Sequence, residues 1–172
     1  ISISSTLIFK IVSAFDFSPV AVLAIIVGRA LDKYSVKNFM MIGAIIYAVG
    51  LFSLSFINTY WSLLTIYLTI LALGSIMMGN LAVSKLIANW FDKNAGKALG
   101  IAAIGISFSG VILPLIVDPL LELVGWRNVY VIFASIVFFI ILPLVFFTVI
   151  GDPKTVNQVK DGAKKDDKEE FI

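Results

Sequence analysis

The sequence predicts an all-α polytopic membrane protein, and three observations carry that prediction. Hydrophobic residues make up 60% of the 172 positions and charged residues only 14%, which leaves too little polar material to cover a water-facing surface. The apolar residues fall into five runs, each long enough to cross a hydrocarbon core of about 30 Å. No run alternates apolar and polar residues as a lipid-exposed barrel strand must. Helices satisfy every backbone group internally, so a helical bundle is the architecture that lipid permits.

The spans are placed near 3–27, 39–57, 61–88, 95–117 and 129–150, so residues 1–150 form the transmembrane bundle. The first connector carries Arg29, Lys33 and Lys37; the third carries Lys93 and Lys97, with Lys85 close above it. The second, at Asn58 and Thr59, is uncharged, and the fourth has Arg127 as its base. Short basic loops stay in the cytoplasm. The N-terminus therefore lies outside and the C-terminus inside, with Tyr60, Trp61 and Trp126 at the outer interface and Tyr34 and Trp90 at the inner one. Residues 151–172 mix Lys, Asp and Glu with few apolar groups, the composition of a disordered cytoplasmic linker or tail.

Composition also narrows the chemistry. A net charge of +2 provides no basic stripe for a phosphate backbone, so nucleic acid is not an expected partner. Cysteine and histidine are both absent; neither a metal site, a cofactor nor an enzymatic centre is expected, because no cluster of ligands or nucleophiles shares one depth.

A few residues stand out from the apolar background. Asp16 lies about 18 Å from Gly28 along a helix rising about 1.5 Å per residue, near the bilayer midplane. A carboxylate there costs about 2.5–3.5 kcal/mol on insertion scales. Two readings stand: a proton-binding or pathway carboxylate, and a structural acid held by an ion pair or hydrogen bonds. Pro19, one turn on, removes a hydrogen bond to Phe15 and bends the helix there. Lys10 could attract an anion from outside or snorkel to the interface. Asn80 is either a pathway residue or, with Ser84, interhelical glue. Gly96, Gly100, Ala103, Ser107, Gly110 and Pro114 form a small-residue stripe on the fourth span, which suits close helix packing.

The connector Gly28-Arg29-Ala30-Leu31-Asp32-Lys33-Tyr34-Ser35-Val36-Lys37 resembles the signature loop of the major facilitator superfamily, roughly G-x-L-A-D-R-x-G-R-R/K. Ser35 stands where the pattern has Gly, and Val36 where it has a base. Asn89-Trp90-Phe91, then Gly96-Lys97-Ala98-Leu99-Gly100-Ile101-Ala102, Gly105 and Gly110, and finally Gly125-Trp126-Arg127 resemble the monocarboxylate and oxalate/formate branch. The arginine that many proton-driven members carry in the fourth helix is absent; Thr69 and Ile70 lie near that place.

The resemblance implies that the five spans correspond to helices 2–6 of a carrier, with the first helix and the second half lying elsewhere in a longer protein. It implies a secondary active transporter in the plasma membrane, moving a small organic anion such as a monocarboxylate by alternating access. Protons or a counter-anion would be coupled. Gly28, Arg29, Asp32, Lys33 and Lys37 would form the cytoplasmic gating latch, with Asp32 facing the N-terminus of a helix in the other half. The rival reading is a non-transporting five-helix membrane subunit or scaffold.

Overall fold

The computed structural model describes residues 23, 25–31, 33–156, 158, 160 and 161, leaving the side chains of 154 and 155 undescribed. Asp16, Lys10, Pro19 and Asp32 lie outside the described residues. Those that are described are almost entirely helical, with no strand among them.

Residues 25–31 are helical. They lead through the charged connector to α1 (Val36–Leu54), preceded by Ser35 in extended conformation. The chain leaves α1 through tightened turns, with the Ser55 and Phe56 amides donating to Phe52 and Ser53. It then re-enters a long helical stretch: α2 (Tyr60–Ile66), a π-helical turn at Tyr67–Leu71, α3 (Ala72–Met78) and α4 (Asn80–Trp90). Gly79 breaks the helix between α3 and α4. After the turn at 91–94 comes α5 (Ala95–Ile136), then a π-helical turn at Val137–Ile141 and α6 (Leu142–Thr148).

Three of these stretches, Val36–Leu54, Tyr60–Trp90 and Ala95–Thr148, are long and apolar enough to cross a membrane. The last has 54 residues, about 80 Å of helix and far more than one hydrocarbon thickness. It does not run straight. Gly125 has φ 76° and ψ 158°, a backbone conformation open to glycine and costly for residues with a Cβ. The two ends of the stretch meet: the Trp90 indole N–H donates to the Ile150 carbonyl at 2.8 Å, and the Asn89 amide to the Gly151 carbonyl at 2.8 Å. The chain thus doubles back at Gly125, giving arms of about 45 Å and 35 Å, each sufficient for one crossing.

The core gathers on α1. One cluster joins Val36, Phe39 and Met40 to Val27, Leu31, Met77, Ala82 and Val145. The other joins Ala44, Ala48, Leu51 and Leu54 to Ile57, Leu71, Ala134 and Val137. Small residues set the closeness of this packing. A Cβ added at Gly43 would stand 2.7 Å from the Met77 Cβ, and one at Gly74 would stand 2.8 Å from the Tyr47 backbone nitrogen. Backbones approach this closely only where side chains are absent.

Large apolar side chains remain on the outside, among them Phe52, Trp61, Phe139 and Phe147. In water they would form an extended sticky surface; against lipid they are the correct exterior. Hydroxyls follow the same logic. Ser53, Thr65, Ser107, Ser135 and Thr148 each donate to the carbonyl four residues earlier, so a polar group that lipid cannot solvate is satisfied within its own helix.

Candidate gating site at the signature connector

Helices that end at a membrane surface leave their last carbonyls without intrahelical partners. At the end of the bundle formed by the first connector, side chains from α4 supply the donors. The Lys85 ammonium donates to the Leu31 carbonyl at 2.9 Å, placing a cation at a helix C-terminus, where the macrodipole favours it. Asn89 and Trp90, one turn further along α4, take the carbonyls of Gly151 and Ile150. The segment 25–31, α4 and the end of α6 are thereby fastened together.

Between these fastenings lies a cleft of about 600 Å³, bounded by Tyr34, Ser35 and Lys37 of the connector, Lys85 and Asn89 of α4, and Gly151, Asp152 and Val156 after α6. The Lys37 ammonium sits 4.8 Å from the centre of the Phe146 ring, a cation–π distance that holds the connector against α6. Gly28 is half-buried with room around it, while Arg29 and Lys33 are exposed. Of the predicted connector residues, Lys37 borders the cleft and touches α6, whereas Gly28, Arg29 and Lys33 do not border it and Asp32 lies outside the described residues.

Other predicted residues stand apart from this site. Asn80 is exposed at the start of α4, at the Gly79 break. Gly96, Gly100, Ala103, Ser107, Gly110 and Pro114 are all exposed along the first arm of α5. A Cβ at Gly96, Gly100 or Gly110 would meet nothing within 4 Å. The close glycine packing that the described residues do contain, at Gly43 and Gly74, was not singled out in the sequence. Gly43, Ala44 and Ala48 fall on small-residue spacing in α1, and that pattern was the available signal.

The opposite end of the bundle is closed by the Gly125-Trp126-Arg127 turn. The Arg127 guanidinium donates to the Ile57 carbonyl and to Asn58 Oδ1, both at 3.0 Å. It also lies 4.2 Å from the centre of the Trp126 ring. Arginine can serve three such contacts at once because its planar fork donates in plane and stacks on its face. At both ends, side-chain donors hold neighbouring segments together. Among the described residues no group of three or more His, Cys, Asp or Glu converges on a possible metal position.

Residues 2–170 match the family described as Major Facilitator Superfamily. The chain is 31% identical over 118 residues to "MFS-type transporter 1" of Ophiocordyceps sp. (strain BCC 1869), an alignment covering 69% of this chain and 26% of that protein. It is 33% identical over 101 residues to "Fujikurins efflux protein" of Gibberella fujikuroi, covering 59% of this chain and 22% of the relative. It is 29% identical over 94 residues to "Riboflavin transporter MCH5" of Saccharomyces cerevisiae, covering 53% and 17%. The matched region thus spans about a quarter or less of the length of these curated relatives. No solved structure matches the chain.

Proposed function

The chain belongs to the major facilitator superfamily, and from that premise we propose that it supplies helices 2–6 of the first half of a secondary carrier for a small organic molecule. The observation that carries this reading is the family match along nearly the whole chain, supported by transporter-named relatives and by lipid-compatible helices.

The preferred substrate class is a small organic anion such as a monocarboxylate, moved with protons or in exchange for a second anion. It rests on the branch resemblance of the Asn89–Ala102 and Gly125–Arg127 segments. Asp16 is the proposed proton-binding or pathway carboxylate, with Lys10 and Asn80 as further pathway candidates. The end carrying Arg29, Lys33, Lys37, Lys85, Lys93 and Lys97 faces the cytoplasm, since basic residues gather there while Arg127 stands at the other end. At the cytoplasmic end, Gly28, Arg29, Asp32, Lys33 and Lys37 latch the inner gate. The exposed arm 95–124, with its small-residue stripe, is the face on which the second half of the carrier rocks.

Efflux of a small molecule is the second reading, favoured by the similarity to a protein named for efflux. The test is uptake by the full-length protein in proteoliposomes under an imposed pH gradient, with formate, lactate, oxalate, riboflavin and a neutral apolar compound as probes. The anion reading predicts saturable accumulation of at least one acid, abolished by collapsing the pH gradient if protons are coupled, or driven by a preloaded counter-anion if the carrier exchanges. Carriage of the neutral compound alone would favour efflux of an apolar metabolite and remove the anion class.

A further inference from the structure

The turn at 91–94 joins two helices and should leave backbone groups at both helix ends seeking partners. A single distant residue partners three of them and one side chain as well. The Asp161 amide donates to the Trp90 carbonyl at 3.0 Å, and the Asp161 carbonyl accepts from the amides of Asp92 at 3.2 Å and Lys93 at 3.4 Å. Its carboxylate Oδ2 accepts from the Asn94 side-chain amide at 2.6 Å. Asn94 immediately precedes α5, so the carboxylate also lies near the positive end of a helix. The arrangement forms an isolated parallel bridge between Phe91 and Asp161.

The tail is held at two places. Asn89 takes the carbonyl of Gly151 where the tail begins, and the 91–94 turn takes Asp161. Between them Pro153 is buried, and Val156 forms part of the boundary of the 600 Å³ cleft. The opposite side of the cleft is the connector Tyr34–Lys37. Asp152 and Val156 thus set the start of the tail against the cleft, and the contacts of Asp161 hold it further on against the turn.

We propose that Asp161 is a clasp: docked on the Phe91–Asn94 turn, it straps the tail across this end of the bundle, and its release exposes the cleft behind the connector. The clasp is built mainly from backbone groups, so it tolerates sequence change in the turn and is broken most fully by removing the amide N–H of residue 161. The proposal rests on these contacts and on no assumption about substrate.

The test uses the full-length carrier with any native cysteines replaced; the described part of this chain contains none. Val149, which borders the cleft, is changed to Cys and labelled with a water-soluble maleimide. Asp161→Pro removes both the amide donor and the carboxylate and should speed labelling about tenfold, while Lys160→Ala, at an exposed neighbour, should leave it within twofold. Asp161→Ala, which keeps the backbone bonds, should fall between. A rate in Asp161→Pro equal to the parent would overturn the clasp. If Asp161→Pro fails to fold, Asn94→Cys with Asp161→Cys decides the docking. Mild oxidation should close that disulfide in most molecules, whereas Lys33→Cys with Asp161→Cys should remain open. Equal closure in the two pairs, or closure in neither, would show that Asp161 is not held on the turn.

Discussion

Replacing Gly74 with alanine adds one methyl group at a close crossing of α1 and α3, and its effect can be worked from the structure. The new Cβ would stand 2.8 Å from the Tyr47 nitrogen and 2.9 Å from both its Cα and Cβ. Two of these atoms are backbone, so no rotamer change relieves them. Restoring an ordinary contact of about 3.4 Å requires α1 and α3 to part by roughly half an ångström. Overpacking of this kind costs about 1–3 kcal/mol, against a gain of about 0.5–1 kcal/mol for replacing a mid-helix glycine by alanine. The net expectation is a loss of up to about 2.5 kcal/mol. Gly100→Ala is the matched control, because nothing lies within 4 Å of its added methyl; helix propensity alone should act, stabilising by about 0.5–1 kcal/mol. The assay is thermal unfolding of this chain in detergent, followed by the fluorescence of its 3 tryptophans at one fixed scan rate, because membrane proteins often unfold irreversibly. Gly74→Ala should melt below the parent and Gly100→Ala at or above it. The reverse order would refute the packing argument.

Further expectations follow from the proposed carrier. Gly100→Leu should be tolerated in this chain yet destabilise the full-length protein, because the second half is proposed to cover that face; comparing melting temperatures in the two contexts checks it. Single cysteines at positions 33, 93 and 160 should react with an impermeant reagent only from the cytoplasmic side in intact cells, and labelling of 33 or 93 from outside would overturn the orientation. Arg127→Lys should restore only part of the stability lost in Arg127→Ala, because an ammonium cannot donate to Ile57 and Asn58 while stacking on Trp126; thermal unfolding of the three proteins reads this. Asp16→Asn should abolish proton-driven accumulation while sparing exchange of labelled for unlabelled substrate, if that carboxylate takes up the coupled proton. Equal loss of both activities at matched expression would assign it a structural role.

Length and lack of alternation made the helical character of this chain legible, and they did so because lipid leaves so few alternatives. The charged connector was legible for the related reason that polar residues are rare enough here to stand out. Partner choice was not. α5 is apolar almost all round, and its small-residue stripe lies on an exposed arm, so the stripe does not indicate which side packs within this chain; the Gly125-Trp126-Arg127 turn, by contrast, was marked in the sequence between the fourth and fifth spans. Lys85 reads in sequence as one more interfacial cation, yet its ammonium closes the end of the 25–31 helix through Leu31. Gly74 and Asp161 were invisible for a similar reason. Each acts on backbone groups far away in sequence, and a backbone atom carries no side-chain signature for a reader to match.

The most direct test of the carrier account is counterflow. The full-length protein, reconstituted into liposomes loaded with an unlabelled organic acid, is diluted into a trace of the same acid labelled. An alternating-access carrier predicts transient accumulation of label above its external concentration, saturating with substrate and absent from protein-free liposomes. Label that equilibrates at the protein-free rate for every acid tested, with no overshoot, would contradict the organic-anion carrier proposed here.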